Sequence, residues 1–433
     1  MFASVSKLTR FAILTAVAVQ VLIPRALSAQ QSDREERIAE LSERYEKSEH
    51  RVAMRDGTTL YMAVYAPRDR TEEHPILLKR TPYSCRPYGA EQMSLMIGPS
   101  RTLEDDTFIF VCQDVRGRYM SEGEFDNMRP HVPGELPIDE SSDTWDTVEW
   151  LVNNVPGNNG KVGLWGISYP GFYAAAALPE AHPALVASSP QAPISDFYFD
   201  DFHHHGAYTL AYWFITPVFG YQQDSLNTGN WFSFPARSSR DGYKFYMDLG
   251  PLKNSDSYYG EDNFFWTDLV EHPNYDEFWQ ERSILPHLTG VDHAVLTVGG
   301  WYDAEDLFGP LNIYRKLERE NPGIAYNGLV MGPWGHGDWA RSRSPHVIGD
   351  IDYGGDISGW YQREVEAPFF RYWLKGEGSP PEFEALTFDT GRKEWRSFPA
   401  WPPAEATSRT LHLRDGEVLS WDPPESGVAE FAT

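Results

Sequence analysis

Short apolar runs alternate with polar or amphipathic stretches along most of this chain. Runs of mainly apolar residues, which predict buried strands, fall at 74–79, 107–112, 184–187, 294–299 and 328–331. Runs this short and apolar are typical of strands covered on both faces, as in a parallel sheet. Because they alternate with helical segments, the pattern predicts an α/β fold with a parallel sheet wound on both sides.

Three other local patterns surround the first strands. Residues 33–51 form a polar lead of helical character, and residues 142–155 carry an apolar stripe of helical spacing. Ser142 or Asp143 is the expected N-terminal cap of the second helix. Two asparagines and a glycine predict a turn at 158–160, from which the next strand starts.

Residues 161–178 predict a strand, a sharp turn and a helix, with Ser168 on the turn. This is the layout of a nucleophile elbow, in which a strained turn raises a serine hydroxyl above a parallel sheet. The common elbow has glycine two residues after the serine, but here Pro170 occupies that position and Gly171 follows it. Taken alone, the motif is equally compatible with an ordinary turn between a strand and a helix.

Polar residues follow the predicted strands at the ends where parallel sheets bind their ligands. They are Tyr83, Asp114, Ser168, Asp303 and His336. Ser168, Asp303 and His336 have the chain order serine, acid, histidine that hydrolases of this layout share. A serine nucleophile needs a base and a group that orients the base, so these three residues are predicted to be catalytic. Asp114 and Arg116 are expected to pair beneath the site as structural groups.

The composition changes twice along the chain, and each change predicts a boundary. Residues 196–287 are crowded with aromatic side chains and are predicted to form a helical cap inserted over the sheet. The core then consists of 30–195 and 288–378. Short β-like runs with proline and glycine fill 379–433.

Residues 1–29 have the features of a secretory signal peptide. Lys7 and Arg10 form a charged start, residues 11–23 are mainly apolar, and small residues up to Ala29 offer a cleavage site. The apolar stretch is shorter than the ~20 residues of a typical membrane-spanning helix. The sequence therefore predicts a secreted or periplasmic protein.

The chain is strongly acidic, with 37 basic and 63 acidic residues. Its net charge of −26 becomes −29 when the three basic residues of 1–29 are removed. Such a charge repels nucleic acid and favours cationic small molecules near an acidic cleft, although most of it is expected to be solvated surface charge. Cys85 and Cys112 are the only cysteines. Export permits a disulfide between them, but the sequence does not establish that they meet.

Five motifs, placed in order between about residues 52 and 401, resemble those of the α-amino acid ester hydrolases. They are Arg80-Thr81-Pro82-Tyr83, Gln113-Asp114-Val115-Arg116-Gly117, Gly166-Ile167-Ser168-Tyr169-Pro170-Gly171-Phe172, Trp301-Tyr302-Asp303-Ala304-Glu305-Asp306 and Gly332-Pro333-Trp334-Gly335-His336. These enzymes belong to a larger group with cocaine-esterase-like hydrolases and X-Pro dipeptidyl peptidases. The elbow pattern of that group is a serine followed by tyrosine, any residue and glycine. This pattern accounts for Pro170.

The resemblance implies an α/β-hydrolase core with an inserted helical cap and a C-terminal jelly-roll domain. A jelly roll needs about eight strands in two sheets. The 55 residues from 379 to 433 suffice for the start of such a domain, which is therefore expected to be truncated. The candidate catalytic residues all lie upstream of it.

The resemblance also implies a role for each candidate catalytic residue. Ser168 is the nucleophile, His336 the general base and then acid, and Asp303 the carboxylate that orients the histidine. The oxyanion is held by the backbone N–H of Tyr169 and the phenol of Tyr83. The loss of one such donor typically lowers the rate by ~10²–10³.

The α-amino acid ester hydrolases further bind the substrate's α-ammonium group with three carboxylates. Glu305 and Asp306 match two of them, and Asp201 is the third by position, although a one-residue gap leaves Asp200 open. A compact ammonium beside an ester needs a dry anionic pocket, because crowded carboxylates otherwise only raise each other's pKa. The alternative for Glu305 and Asp306 is a stabilising position at a helix N-terminus, and the two roles are compatible.

The implied function is a serine hydrolase or acyltransferase that cleaves esters, and aminoacyl β-lactams, of α-amino acids through an acyl-enzyme on Ser168. An X-Pro-type dipeptidyl peptidase, a general esterase and a non-catalytic binding module are the alternatives. No cofactor or metal is expected, since the consecutive histidines His203, His204 and His205 point in different directions and make a poor chelate. The expected partner is a small amino ester or peptide, with neither nucleic acid nor, after signal cleavage, a membrane; a homo-oligomer is left open.

Overall fold

The structure is a computed structural model that describes residues 31–134, 138–414, 416 and 418–423. The predicted signal peptide at 1–29 lies outside these residues. Within the described ranges, no helix is both long and apolar enough to cross a membrane.

The described residues contain strands that belong to one large sheet and to three short hairpins. They are β1 (Tyr45–Ala53), β2 (Thr59–Pro67), β3 (His74–Thr81), β4 (Ile109–Asp114), β5 (Asn158–Ile167), β6 (Leu185–Gln191), β7 (His203–His204), β8 (Ala207–Tyr208), β9 (Ala294–Gly300), β10 (Tyr326–Gly332), β11 (Val347–Ile348), β12 (Ile351–Asp352), β13 (Ala385–Asp389), β14 (Glu394–Phe398), β15 (His412–Arg414) and β16 (Val418–Ser420). The large sheet has the order β1-β2-β4-β3-β5-β6-β9-β10-β13-β14. Its strands from β4 to β13 are parallel, and β1, β2 and β14 are antiparallel to their neighbours.

Helices connect most of the parallel strands and lie on both faces of the sheet. They are α1 (31–44), α2 (Arg101–Asp105), α3 (Glu140–Asn154), α4 (Tyr169–Ala176), α5 (Thr216–Gly220), α6 (Gly242–Leu249), α7 (Asp256–Tyr259), α8 (Phe264–Glu271), α9 (Glu277–Glu281), α10 (Phe308–Glu320), α11 (Ile357–Tyr361) and α12 (Ala367–Phe370). Shorter 3₁₀ turns lie at Leu210–Trp213, Leu252–Ser255, Leu285–His287 and Asp338–Ala340, and π turns at Tyr198–Phe202, Gln362–Glu366 and Arg371–Lys375.

The core consists of apolar layers on the two sides of the central strands. Every residue of β9 is buried, which explains its continuous apolar pattern. One layer joins Phe172 of α4 to Ile313 of α10 and to the segment between β6 and β9. The opposite layer packs Phe370 and Leu374 against the sheet. The predicted parallel sheet is confirmed, with its five apolar runs present as β3, β4, β6, β9 and β10.

Three local predictions were wrong, each because a distant or neighbouring group decides the structure. The predicted helix at 33–51 is present only as far as residue 44, in α1, and residues 45–51 belong to strand β1, since they pair along the open edge of β2. The predicted turn at 158–160 is the start of β5, where Gly160 has a positive φ of 76°. The cap of α3 is Asp139, whose carboxylate accepts the N–H of Ser142 while the Ser142 hydroxyl accepts the N–H of Asp139.

The segment between β6 and β9 contains the short helices α5 to α9. Their aromatic side chains, among them Trp213, Phe265 and Trp279, are buried in the same apolar layer as α4. At the other end of the chain, β13 and β14 extend the large sheet beside β10, whereas β15 and β16 form a separate hairpin. The division of the chain into domains remains a prediction.

Candidate active site

Ser168 lies on the turn between β5 and α4, with φ 69° and ψ −129°. A positive φ is uncommon for residues other than glycine and indicates a strained turn. Hydrogen bonds fix the turn on both sides. The Ser168 N–H donates to the Gln191 carbonyl at 2.9 Å, and the Phe172 N–H donates to the Ser168 carbonyl at 3.0 Å. The backbone thus has the strand, turn and helix form that the sequence motif predicts.

Two glycines allow this turn to pack closely. A Cβ atom on Gly166 would lie 2.1 Å from the carbonyl oxygen of Pro170, and one on Gly171 would lie 2.5 Å from that of Gln191. Both distances are far below van der Waals contact, so a larger residue would force the backbone apart. The glycine that follows Pro170 therefore brings α4 against the end of β6.

Asp303 and His336 lie on neighbouring loops, after β9 and β10. The Nδ1 atom of His336 lies 2.9 Å and 3.2 Å from the two carboxylate oxygens of Asp303. The Oδ1 atom of Asp303 also accepts the backbone N–H groups of Glu305 and Asp306, both at 3.0 Å. These bonds fix the carboxylate, which in turn orients the imidazole.

The histidine loop contacts the serine turn through adjacent residues. A Cβ atom on Gly337 would lie 3.5 Å from Cγ2 of Ile167, the residue before Ser168. The structure therefore brings Ser168, Asp303 and His336 to the same edge of the sheet. The chemistry that such a set supports is nucleophilic attack with a histidine as the proton carrier.

The environment of His336 favours its protonated form. Burial opposes charge on the imidazole, but the hydrogen bond and the charge of Asp303 outweigh burial and raise the pKa of His336 above 6.5. The charges of Glu305 and Asp201 act in the same direction. A histidine that acts as a general base must be neutral to accept a proton, so the raised pKa of His336 predicts a lower pH limit on activity.

We expect kcat/KM for ester hydrolysis to fall as the pH is lowered through this raised pKa. The acidic limb of the profile, measured from initial rates over about pH 5 to 9, should therefore be centred above pH 6.5. Asp303→Asn should move the limb to lower pH, because Asp303 provides the main stabilisation of the imidazolium, and should also lower the rate. A wild-type limb centred below pH 6.5 would contradict this electrostatic description.

Three further carboxylates lie around the histidine. Glu305 Oε2 is 3.6 Å from Nε2 of His336, and Asp306 Oδ2 is 3.8 Å from Nδ1. Burial, followed by the charge of Glu305, raises the pKa of Asp201 well above its usual value. Burial and the charge of Asp201 do the same to the pKa of Asp306. Crowding and burial therefore make Asp201 and Asp306 hold protons more tightly than isolated carboxylates do, and a cation bound among them would oppose this effect.

The structure separates Asp200 from Asp201, which the sequence left as alternatives. The carboxylate of Asp200 accepts the N–H groups of Ser195 at 2.8 Å and Gly309 at 2.7 Å, so it holds the backbone together. Asp201 instead accepts the hydroxyl of Tyr212 at 2.6 Å, and its charge acts on His336. The geometry groups Asp201, not Asp200, with the other carboxylates.

Tyr83 and Tyr169 meet beside Ser168, with ring centroids 6.4 Å apart and perpendicular planes. Tyr169 is the first residue of α4, so its N–H has no carbonyl acceptor within the helix. Its phenol accepts the N–H of Met128 at 2.7 Å and serves the fold. Tyr83 is 41% exposed as a residue, but desolvation at its phenol and the charge of Asp201 raise the pKa of Tyr83 well above 10, so its hydroxyl is protonated and able to donate a hydrogen bond.

Gln191 was not among the predicted site residues, yet it joins two of the site loops. Its carbonyl accepts the Ser168 N–H, and its side chain accepts Nε1–H of Trp339 at 2.7 Å and donates to Glu366 at 3.0 Å. Trp339 follows His336 closely in the chain, so Gln191 links the serine turn to the histidine loop. Its place at the end of β6 is the sequence signal that could have identified it.

The pairing predicted for Asp114 and Arg116 is wrong. Arg116 forms ion pairs with Asp143 at 2.6 Å and Asp56 at 2.7 Å. Asp114 accepts the N–H of Cys85 at 2.8 Å instead. The two side chains diverge because the chain leaves β4 at Asp114, so that Arg116 reaches α3.

The consecutive histidines line a cavity of about 750 Å³ next to Glu305 and α10. His203 stacks on Tyr198 with ring centroids 4.1 Å apart, and Nε2 of His204 lies 3.1 Å from the carbonyl oxygen of Asp200. In the described part of the chain, no three potential ligands are arranged to hold a metal ion.

Comparison with known sequences identifies the family. A model of the X-Pro dipeptidyl-peptidase (S15) family matches residues 56–338, a range that includes Ser168, Asp303 and His336. The chain belongs to the S15 family. It is 27% identical over 384 residues to the cocaine esterase of Rhodococcus sp. (strain MB1 Bresler), covering 84% of this chain and 61% of that enzyme.

Two solved structures support the same assignment of the fold. An α-amino acid ester hydrolase is 32% identical, with a TM-score of 0.79 over 89% of this chain and 64% of that one. An aminopeptidase from a marine sediment archaeon, Thaumarchaeota archaeon, is 32% identical, with a TM-score of 0.79 over 88% and 63%. This S15 family member therefore has the predicted α/β-hydrolase fold. It spans less than two thirds of the length of each of these relatives.

Proposed function

We propose that this S15 family member is a serine hydrolase that cleaves esters of α-amino acids and transfers their acyl groups. Ser168 is the nucleophile, and Asp201, Glu305 and Asp306 bind the substrate's α-ammonium group. The similarity to an α-amino acid ester hydrolase over most of this chain supports the choice of substrate class.

The main support for the proposal is that the carboxylate of Asp306 is buried without hydrogen-bond partners among the described residues. An unsatisfied buried carboxylate is costly, and native proteins keep such groups mainly where a ligand satisfies them. A compact ammonium group supplies three N–H donors and a positive charge, which match the needs of Asp306, Asp201 and Glu305.

The position of these carboxylates also determines where the ester bond of a bound substrate would lie. In an α-amino ester the ammonium nitrogen is separated from the carbonyl carbon by a single carbon atom. Because Glu305 and Asp306 lie within 4 Å of His336, an ammonium held among them leaves the ester carbonyl beside the histidine and Ser168. Binding of the amino group thus orients the ester for attack.

In the first half of the reaction, His336 accepts the proton of Ser168 through Nε2 while the serine oxygen attacks the ester carbonyl carbon. The carbonyl electron pair moves to its oxygen, which receives hydrogen bonds from the Tyr83 hydroxyl and the Tyr169 N–H. Collapse of this intermediate expels the alcohol oxygen, and His336 returns the proton to it. An acyl-enzyme on Ser168 remains.

In the second half, water or an amine takes the place of the alcohol. His336 removes a proton from this nucleophile, which attacks the acyl carbon, and the serine oxygen leaves with that proton. Water gives the free amino acid, and an amine gives a new amide. The same machinery therefore supports both hydrolysis and transfer.

The test is a comparison of two esters that differ in the amino group alone. We expect kcat/KM to be at least ~10² higher for phenylglycine methyl ester than for phenylacetic acid methyl ester, because buried polar groups reject a substrate that leaves them unpaired. Glu305→Ala should reduce this preference by about tenfold, while its rate on phenylacetic acid methyl ester stays nearly unchanged. Glu305→Ala is expected to remove only part of the ~10² preference, because Glu305 is 37% exposed and solvent screens its charge.

Equal rates on the two esters would contradict the ammonium site and leave a general esterase. The family description and the aminopeptidase relative favour one other candidate, a peptidase that acts at free N-termini. Cleavage of an Xaa-Pro anilide with no turnover of either ester would replace the proposal by that function.

A further inference from the structure

The segment that carries Tyr83 has almost no regular structure of its own. Between the end of β3 at Thr81 and the start of α2 at Arg101, the backbone forms turns and irregular loop. A hydrogen-bond donor to an oxyanion must be held within about 0.5 Å of its productive position. Contacts from outside the segment must therefore hold Tyr83 in place.

On the C-terminal side of Tyr83, a disulfide and two hydrogen bonds attach the segment to β4. Cys85 forms a disulfide with Cys112 of β4, with Cα atoms 5.7 Å apart. The Cys85 N–H also donates to Asp114 Oδ1 at 2.8 Å, and the Tyr88 hydroxyl donates to Asp114 Oδ2 at 2.8 Å. The covalent bond is thus two residues from Tyr83 and ends on a central strand.

On the N-terminal side, the attachments are hydrogen bonds. Nε of the buried Arg118 donates to the carbonyl of Pro82 at 3.1 Å, and the Tyr83 N–H donates to the Thr81 hydroxyl at 3.1 Å. The backbone of Tyr83 is therefore held between two anchors, and the anchor at Cys85 includes a covalent bond.

The residue between Tyr83 and Cys85 shows that this conformation is imposed on the segment. Ser84 has a φ of 93°, a conformation that L-residues other than glycine rarely adopt. Such strained conformations persist only where the surrounding structure enforces them. If the disulfide is cut, hydrogen bonds alone hold Cys85 against β4, and we expect the strained Ser84 to relax and to shift Tyr83.

We propose that the Cys85–Cys112 disulfide is a positioning device for the oxyanion tyrosine, so that the rate of acylation depends on the redox state of this bond. The proposal rests on the function proposed above for Tyr83. It differs from the general stabilising effect of a disulfide, which acts through the unfolded chain and not through one side chain.

The bond can be opened by a dithiol reductant such as dithiothreitol. The cystine accepts two electrons and two protons and becomes two thiols, while the reductant forms a cyclic disulfide. Cys85 is buried, but Cys112 is partly exposed, so one sulfur lies nearer to the solvent. Reoxidation reverses the reaction and should restore the activity.

The decisive experiment removes the bond in two backgrounds. The double variant Cys85→Ser, Cys112→Ser is compared with the wild type, and the same change is made in Tyr83→Phe. Hydrolysis of p-nitrophenyl acetate is measured, because this ester has no amino group and its binding does not require the ammonium-binding carboxylates. The rate of labelling of Ser168 by a fluorophosphonate provides a second readout.

In the wild-type background we expect the two cysteine substitutions to lower kcat by about tenfold to a hundredfold and to change KM by less than about threefold. The upper end of this range approaches the effect of losing one oxyanion donor completely. In the Tyr83→Phe background, the same two substitutions should change kcat by less than about threefold. Labelling rates should follow the same pattern. The melting temperature is expected to fall equally in both backgrounds, because it reports the structural effect of the bond.

Equal losses of kcat in the two backgrounds would overturn the proposal, since the disulfide would then act on the fold as a whole. An unchanged kcat without the disulfide, or with Tyr83→Phe alone, would overturn it as well. If the double variant does not fold, reduction of the two oxidised proteins under native conditions gives the same comparison. Because p-nitrophenyl acetate has no amino group, these results do not depend on whether the enzyme prefers amino esters. Failure of the proposed ammonium site is therefore distinguishable from failure of the proposal for the disulfide.

Discussion

Replacement of Ser168 by alanine is expected to lower kcat for ester hydrolysis by about 10⁶, the scale on which loss of a serine nucleophile acts in other serine hydrolases. No neighbouring group replaces the hydroxyl, because the strained turn at φ 69° presents this one side chain beside the histidine loop. Residual turnover then reflects the oxyanion donors and binding alone. Initial rates on phenylglycine methyl ester and covalent labelling by a fluorophosphonate measure the effect.

The chain contains a matched control for this variant. The hydroxyl of Ser188 lies 3.1 Å from Nε2 of His293, so it also forms a serine–histidine pair. Ser188 is fully buried within β6, before the end of the strand, and burial lowers the pKa of His293 to about 4, which leaves a neutral pair. Ser188→Ala should keep kcat within about twofold and should still label. Labelling that survives in Ser168→Ala would place the nucleophile elsewhere.

The central strands and the order of the candidate catalytic residues could be predicted because both depend on local patterns. A run of apolar residues is enough to indicate a strand buried on both faces, and β9 is such a strand. The end of a parallel strand is enough to indicate where a polar side chain can meet a ligand. Asp303 and His336 were found in this way.

Other features depend on residues that are distant in the chain, and the sequence alone could not supply them. Asp200 and Asp201 are adjacent, and what separates them is that Asp200 accepts a bond from Gly309, 109 residues away. Cys85 and Cys112 form their disulfide because β3 and β4 are neighbours in the sheet. In each case the partner is set by the order of the strands, which no local pattern reveals.

The edge strand β1 shows the same limit at the level of secondary structure. Its residues are mostly polar and favour a helix when considered alone. The open edge of β2 offers unpaired backbone groups along its whole length, and β1 satisfies them from Tyr45 to Ala53. Tertiary pairing therefore overrides the local preference.

Asp306→Asn is expected to lower kcat/KM for phenylglycine methyl ester by about 10³, because the amide removes the buried charge that faces the ammonium group. The rate on phenylacetic acid methyl ester should stay the same or rise slightly, since less negative charge then opposes the oxyanion. The same variant should raise the melting temperature by roughly 2 °C, because a buried carboxylate without partners destabilises the free protein.

The pH dependence of the stability gained in Asp306→Asn tests whether the buried carboxylate is its cause. The pKa of Asp306 is raised in the folded protein, so the unfolded chain releases the proton at lower pH and folding is disfavoured as the pH rises from about 4 towards the folded pKa. The stabilisation by Asp306→Asn should therefore be larger at pH 8 than at pH 5. Asp292→Asn is the control, because it removes one charge from a side chain that is 92% exposed at the opposite end of β9. A drop in amino-ester preference in Asp292→Asn, or a gain in stability that is the same at both pH values, would exclude the buried carboxylate as the source of specificity.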